Sequence, residues 1–411
     1  MKYTQFIIIS VLFLTFSCQN SENSLSEEKT TLLEEGYWQG SLNIQGYDLL
    51  FDFSVDENQK WIIYNDEEIV PLNTVEKKQD NYQITFVTYP NYFNFNIDSL
   101  GNLSGYFYNP DIGEASQLDF TARYVGKEKA EQRKTESTFT VDGNWRTLFR
   151  PGADNEYPAV GKFTQNENEV RGTFLKRSGD SRFLKGMMDK DSLILTSFDG
   201  SHASIYLAHL KNDTLFGTLI NRNEGSTSWI AFRDDNYTLG DTDEFTYLVK
   251  DTFQLQLKTM EGEDFYFPNP NYENKVVIIQ IMGTWCPNCL DETVFFKKLY
   301  EKYNHQGLEI ISVGYERPEK FEDQVARLKR YQENTDIPYL MVLGNGLANN
   351  KASEDFSMLN RVSAFPTSIF LNRKGDVVKI KTGFSGPGTG ELYEQSKKEI
   401  QNLVEELLDN E

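Results

Sequence analysis

The sequence predicts two architectures in one chain, an antiparallel β-rich N-terminal region followed by a C-terminal α/β domain. Three observations carry this. Short alternating apolar runs bounded by turn residues fill the stretch from Gly36 to about Phe232. After Phe253, continuous apolar runs alternate with segments of helical period, the pattern of a sheet covered by helices. Aromatic residues are abundant, with 29 Phe and 22 Tyr, and they suit strands. At 411 residues the chain has room for two or three domains. Its 39% hydrophobic and 25% charged content fits folded domains rather than disorder.

The charge balance removes some functions. Against 62 Asp+Glu stand 41 Lys+Arg, a formal net charge of −21. Such a chain is repelled by phosphate backbones and anionic lipid heads, so a general nucleic-acid binder is excluded. Its three cysteines are too few for a disulfide scaffold. The scattered His202, His209 and His305 leave little for a His-based metal site.

Behind Lys2 lies the apolar run Phe6–Phe16. It is too short to span a bilayer as a helix and matches the apolar core of an export signal. The run ends Leu14-Thr15-Phe16-Ser17-Cys18, which resembles a bacterial lipobox. The usual Leu three places before the Cys is replaced by Thr15, with Leu14 one place earlier. The resemblance implies a signal peptide over 1–17, lipidation at Cys18 and an extracytoplasmic protein anchored to a membrane. A free thiol in an oxidising compartment would be a liability, which favours lipidation of Cys18. Residues 18–35 are polar and aperiodic and read as a tether.

Residues 36–125 and 142–235 read as two related β units. Gly36-Tyr37-Trp38 opens one and Gly143-Asn144-Trp145 the other. Asn81–Phe107 and Asp191–Leu219 share a strand, turn, strand order, and each unit closes on an aromatic strand, Gln117–Tyr124 and Ser228–Phe232. The charged stretch 126–141 connects them. The expectation is a duplicated unit, built as one closed barrel, two small barrels or a sandwich. Its aromatics either fill the core or line a ligand cavity, as in lipocalin-type barrels.

Residues 236–252 read as a linker, and 253–411 as the α/β domain. Phe253–Leu257 and Asp264–Phe267 form a hairpin around "KTMEG"; Lys275–Ile281 is a strand buried on both faces. It runs into Gly283-Thr284-Trp285-Cys286-Pro287-Asn288-Cys289. Leu290, Val294, Phe295, Leu299 and Tyr303 then mark an amphipathic helix. Leu308–Val313 is a second buried strand, followed by a helix through Phe321, Val325, Leu328 and Tyr331. Tyr339–Leu343 is apolar, Thr367–Leu371 and Val377–Ile380 pair as a closing hairpin, and Leu392–Leu408 is the last helix.

The motifs "GTWCPNC", "CLDE" and "VSAFPTSIFLNRKGDVV" resemble the thioredoxin superfamily, and within it the TlpA/ResA-like membrane-tethered thiol–disulfide oxidoreductases. The resemblance spans Phe253–Glu411 and implies a thioredoxin-like fold with a Cys286–Cys289 redox disulfide. Cys286 would sit at a helix start with Pro287 in the first turn, where its missing N–H costs nothing. Free N–H groups and the helix dipole favour the thiolate there, and the thiolate is the attacking species. Cys286 is thus the expected nucleophile, with Cys289 one turn on to resolve the mixed disulfide. Phe365-Pro366 resembles the superfamily's cis-Pro site, whose neighbouring backbone pairs with a substrate strand. Trp285, Pro287, Asn288 and Phe365 are the residues expected beside substrate. The position of thioredoxin's buried Asp holds Gln280, so its usual base is missing. Glu292 matches the Glu that TlpA/ResA-like proteins place three residues after the second Cys, a candidate proton relay; a solvated helix Glu is the alternative.

Other readings of the Cys pair fail. A structural zinc site needs about four ligands, haem attachment needs His where Leu290 stands, and "GFSGPGTG" lacks the Lys of a phosphate loop. The sequence therefore points to dithiol–disulfide exchange with no bound cofactor. The partners implied are exported proteins carrying disulfides or thiols, and a membrane thiol electron donor; no nucleic acid is implied. Reduction is the preferred direction. The rivals are an oxidase or isomerase of the same fold, a ligand-binding lipoprotein centred on the β region, and peroxide reduction. The reading requires both sulfurs within reach of each other and of another protein.

Overall fold

The computed structural model describes residues 32–128, 137, 139–221, 225–240, 244–346 and 350–409. The N-terminal apolar run and Cys18 lie outside the described residues, as do parts of the connector and linker.

The first β unit is a nine-stranded antiparallel sheet. Its strands are β1 Gly36–Ile44, β2 Tyr47–Val55, β3 Lys60–Asn65, β4 Glu68–Thr74, β5 Glu76–Lys78, β6 Asn81–Thr85, β7 Tyr92–Ile97, β8 Leu103–Tyr108 and β9 Leu118–Gly126. The order is β4-β3-β2-β1-β9-β8-β7-β6-β5. The sheet curls until its ends meet, with Leu72 of β4 bridging Phe86 just beyond β6. The second unit is a closed up-and-down barrel in sequence order. Its strands are β10 Gly143–Phe149, β11 Tyr157–Asn166, β12 Glu169–Leu175, β13 Leu184–Asp189, β14 Ser192–Phe198, β15 Ala203–Lys211, β16 Thr214–Asn221 and β17 Ser226–Arg233. β10 pairs with β17 to close it. The open alternatives thus resolve into one closed barrel and one nearly closed sheet.

The two opening tryptophans are equivalent in detail. Trp38 donates its indole N–H to the Glu34 carbonyl at 3.0 Å, and Trp145 donates to the Val141 carbonyl at 2.8 Å. Each satisfies a buried donor from the chain four residues before it. Hairpin turns follow local chemistry as well. Asn212 and Asp213 both have positive φ, 49° and 54°, and Lys211 pairs with Thr214 across them, the two-residue turn whose twist suits paired strands. The aromatics fill the interiors. In the barrel Trp145, Phe149, Phe174 and Trp229 are buried together, with the Phe174 and Trp229 rings 5.3 Å apart at an edge-to-face angle.

The C-terminal domain is a seven-stranded mixed sheet with helices. Its elements are β18 Leu255–Thr259, β19 Asp264–Phe267, β20 Val276–Met282, α1 Pro287–Tyr303, β21 Leu308–Gly314, α2 Phe321–Thr335, β22 Leu340–Leu343, α3 Asn350–Asp355, β23 Thr367–Leu371, β24 Val377–Thr382 and α4 Glu391–Asp409. The order is β19-β18-β22-β21-β20-β23-β24. Every residue of β20 is buried, the polar Gln280 included, as its largely apolar run requires when helices cover both faces. β20 runs parallel to β21 and antiparallel to β23, so the loop after β20 and the loop before β23 meet at one sheet end.

Residues Leu33–Glu411 form one compact unit. The β region packs on the sheet end that carries the cysteines. Arg327 of α2 grips Asp111 of the first sheet with Nε and a terminal nitrogen, at 3.0 and 2.6 Å.

Candidate functional site

The site is assembled where β20 gives way to α1. Cys286 is the N-cap of α1 and Pro287 its first residue. The Cys289 backbone N–H points at the Cys286 sulfur, 3.3 Å away. Cys286 and Cys289 are joined as a disulfide with their Cα atoms 5.2 Å apart. Of the pair only Cys286 keeps any exposure, 6% against 0%.

Two loops brace the motif. Glu316, just past β21, accepts the Thr284 backbone N–H at 2.9 Å and the Thr284 hydroxyl at 2.6 Å. Burial pushes the Glu316 carboxyl up to about 7. Trp285 donates its indole N–H to the Tyr315 carbonyl at 2.9 Å and stands edge-on to Phe365, centroids 5.7 Å apart. Across from the cysteines, the Phe365–Pro366 peptide is cis, and the Phe365 carbonyl oxygen lies 3.8 Å from the Cys286 sulfur. Trp285, Cys286, Phe365 and Pro366, far apart in sequence, therefore share one small volume.

Glu292 lies on α1 one turn after Cys289, 1% exposed. Its carboxylate accepts a hydrogen bond from the Gln280 amide at 2.9 Å. Gln280 in turn accepts from the hydroxyls of Ser312, at 2.7 Å, and Thr293, at 3.2 Å. Burial raises the Glu292 carboxyl to about 7, against the lowering effect of the Gln280 bond. The two positions singled out by resemblance, one occupied by an amide and the other by an acid, are thus direct partners. Glu292 is buried rather than solvated.

Asn288 and Asp291 face the barrel. The Asn288 amide sits within 3.3–3.4 Å of the carbonyls of Ser178, Asp180 and Phe384. Ser178 and Asp180 belong to the turn between β12 and β13. Gly179 in that turn has φ +124° and pairs with Phe384; a Cβ there would fall on the Asn288 amide and the Phe384 carbonyl, so only glycine fits. Arg182 of the same turn bonds both Asp291 of α1 and Glu68 of β4. Burial lifts the Asp291 carboxyl to about 7, opposed by Arg182, while the ring of acids holds Arg182 protonated. A second barrel turn adds Ser201, whose hydroxyl donates to the Trp285 carbonyl at 3.2 Å. The expectation that the cysteines lie open to another protein is not met in this state: the barrel covers them.

The barrel's part in the site gave no sequence signal. "RSGDSR" reads only as a polar turn, and Asp291 only as one more helix acid. The glycines of "GFSGPGTG" do form the connection into α4, and they serve this contact too. A Cβ on Gly386 would lie 2.5 Å from an Asp291 carboxylate oxygen and 2.8 Å from one of Asp180.

Residues 248–396 match the Redoxin family model. The chain carries a thioredoxin-like thiol–disulfide oxidoreductase domain. Among similar proteins, the thiol-disulfide oxidoreductase ResA of Halalkalibacterium halodurans is 29% identical over 153 residues, 36% of this chain and 72% of its own length. The sporulation thiol-disulfide oxidoreductase A of Bacillus subtilis is 24% identical over 143 residues, 35% of this chain and 77% of its own. The crystal structure of StoA from Bacillus subtilis matches at 22% identity with a TM-score of 0.26, covering 36% of this chain and 98% of that one. Among the described residues, no helix is long and apolar enough to cross a membrane.

Proposed function

We propose that this protein reduces disulfides of extracytoplasmic proteins by dithiol–disulfide exchange, held at a membrane by a lipid on Cys18. The observation that carries the chemistry is the Cys286 sulfur at the start of α1, faced by the Cys289 N–H at 3.3 Å with the Cys289 sulfur bonded to it. In the reduced protein that N–H and the helix dipole stabilise the Cys286 thiolate. The thiolate attacks one sulfur of a substrate disulfide, forming a mixed disulfide and releasing a substrate thiolate that takes up a proton. Cys289, once deprotonated, attacks the Cys286 sulfur. The second substrate thiol leaves, and the Cys286–Cys289 disulfide remains, two electrons having passed to the substrate. A membrane thiol donor restores the dithiol. Glu292, neutral to near pH 7, serves as a proton reservoir for this exchange. Pro366 presents the neighbouring backbone to the substrate chain, and Trp285, Pro287, Asn288 and Phe365 frame the sulfur.

Because the barrel turns cover the pair, exchange with a protein substrate requires the β12–β13 turn to move off Asn288. The β region is on this reading a cap, and the aromatic filling of the barrel argues against a ligand cavity inside it.

Cys289→Ser is the test. It traps substrates on Cys286 as mixed disulfides released by reductant; recovery of none refutes the assignment of roles. A Cys286–Cys289 potential near that of strong oxidants, about −120 mV, would reverse the direction. Cys18→Ala releases the protein from membranes, and continued attachment removes the anchor.

A further inference from the structure

A cavity of about 270 Å³ lies on the seam between barrel and redox domain, lined by Arg177, Phe245, Arg361, Ser363, Ala364 and Thr382 among others. Arg177 belongs to the barrel turn that covers Asn288. Arg361, Ser363 and Ala364 lead directly into Phe365 and Pro366. No carboxylate among the described residues lines the cavity, although the chain carries a net charge of −21.

The two guanidinium groups are held in place. Arg177 stacks on the Phe245 ring, 3.9 Å from its centroid. The Arg361 Nε donates to the Ser363 hydroxyl at 3.1 Å, and that hydroxyl donates to the Phe245 carbonyl at 2.8 Å. Phe245 thus fixes one arginine with its ring and the other through its backbone. Neither arginine has an ion-pair partner among the described residues; at other contacts with the β region Arg182 and Arg327 are ion-paired, and Arg330 donates to the Phe86 and Val87 carbonyls.

We propose that this cavity binds an oxyanion, a carboxylate or phosphate group, and that its occupancy holds the cap closed over Cys286. Empty, it leaves the two guanidinium groups, both on exposed residues, to be partnered by water on opposite sides of the seam. Filled, it gives both guanidinium groups a shared partner, for which their planar forks are suited. An anion that needs both arginines binds only the closed arrangement and so stabilises it. The inference rests on the barrel turn acting as a cap. The oxyanion comes either as a free ion or as an acidic side chain of a partner, and the experiment separates these sources.

The test follows labelling of Cys286 in the reduced full-length protein by a bulky maleimide, at matched ionic strength. Inorganic phosphate in place of chloride slows labelling of the wild type about three- to tenfold, the range of one or two exposed ion pairs. A Glu-rich hexapeptide, against its Gln-substituted twin, forms the second arm. Protection by phosphate identifies a free ion; protection by the Glu peptide alone identifies an acidic segment. Arg361→Ser labels like the wild type in chloride and does not respond to either anion. Equal labelling of the wild type in all conditions overturns the proposal, as does unchanged protection in Arg361→Ser. If Arg182→Met speeds labelling while neither anion slows it, the cap stands and only the anion site falls. If Arg182→Met also leaves labelling unchanged, the cap and the anion site fall together.

Discussion

Removing the Arg182 guanidinium should open the redox site. Arg182 joins the barrel turn to both Glu68 and Asp291, and its side chain is only 8% exposed. Breaking a buried pair by deleting one partner costs about 3–5 kcal/mol, because the remaining charges stay buried without compensation. In Arg182→Met the stranded charge is Glu68, while Asp291, raised by burial and no longer opposed by Arg182, is held protonated; both acids return to water only when the turn lifts. Most of the cost therefore falls on the closed arrangement. At about 1.4 kcal/mol per factor of ten, a loss of about 3 kcal/mol raises the open fraction about a hundredfold, up to full opening. The assay is the second-order rate of maleimide labelling at Cys286 in reduced protein, with a small and a bulky reagent. The bulky reagent should gain more, since it needs the turn displaced. A change under twofold for the bulky reagent, in a variant with wild-type thermal unfolding, would refute the latch. Gly179→Val gives an independent check: its side chain collides with Asn288 and Phe384, so labelling rises with Arg182 intact.

Glu292→Gln should alter the pH dependence of stability. The folded carboxyl is raised to about 7 from its ordinary 4.5, so its stabilising contribution is complete below about pH 4.5 and is lost as pH rises towards 7. Urea unfolding of the variant should accordingly gain up to about 3 kcal/mol relative to wild type between pH 5 and 8; parallel curves would contradict the buried neutral acid. The same variant should lose an inflection near pH 7 in thiol reactivity. Glu316→Ala strands the Thr284 N–H and hydroxyl in a buried loop, a cost of about 1–3 kcal/mol visible as a lower urea midpoint with unchanged slope. Asn288→Ala frees three carbonyls of the turn and of Phe384 from one amide, and should raise bulky-reagent labelling several-fold, less than Arg182→Met.

The redox domain was largely legible in the sequence because its signals are local. β20 is Val276–Met282 where the apolar run predicts Lys275–Ile281, and β23 is Thr367–Leu371 as read. Continuous burial leaves a run that is apolar but for Gln280 and needs no context. The β region was legible in kind but not in full. The alternating pattern marks none of β3, β4, β5, β11 and β13. β4 (Glu68–Thr74) carries Pro71 inside it and β13 (Leu184–Asp189) has few buried residues, so neither shows clean alternation. Closure of the second unit depends on β10 meeting β17, which no run of residues announces. The cap was invisible for the same reason: Asn288 meets Ser178 and Asp180 across sequence separations of 110 and 108. Glu292 had a local signal through its place after the cysteines, yet its neighbour Asp291 gave none for its bond to Arg182.

Glu68, Arg182 and Asp291 come from the curled sheet, the closed barrel and the cysteine-bearing helix, and one guanidinium ties all three. Loss of the barrel turn takes away the guanidinium that both of the other parts share. Melting should consequently register as a single shared transition from Leu33 onward, and a fragment beginning at β18 would inherit an acid whose counter-charge had been left behind.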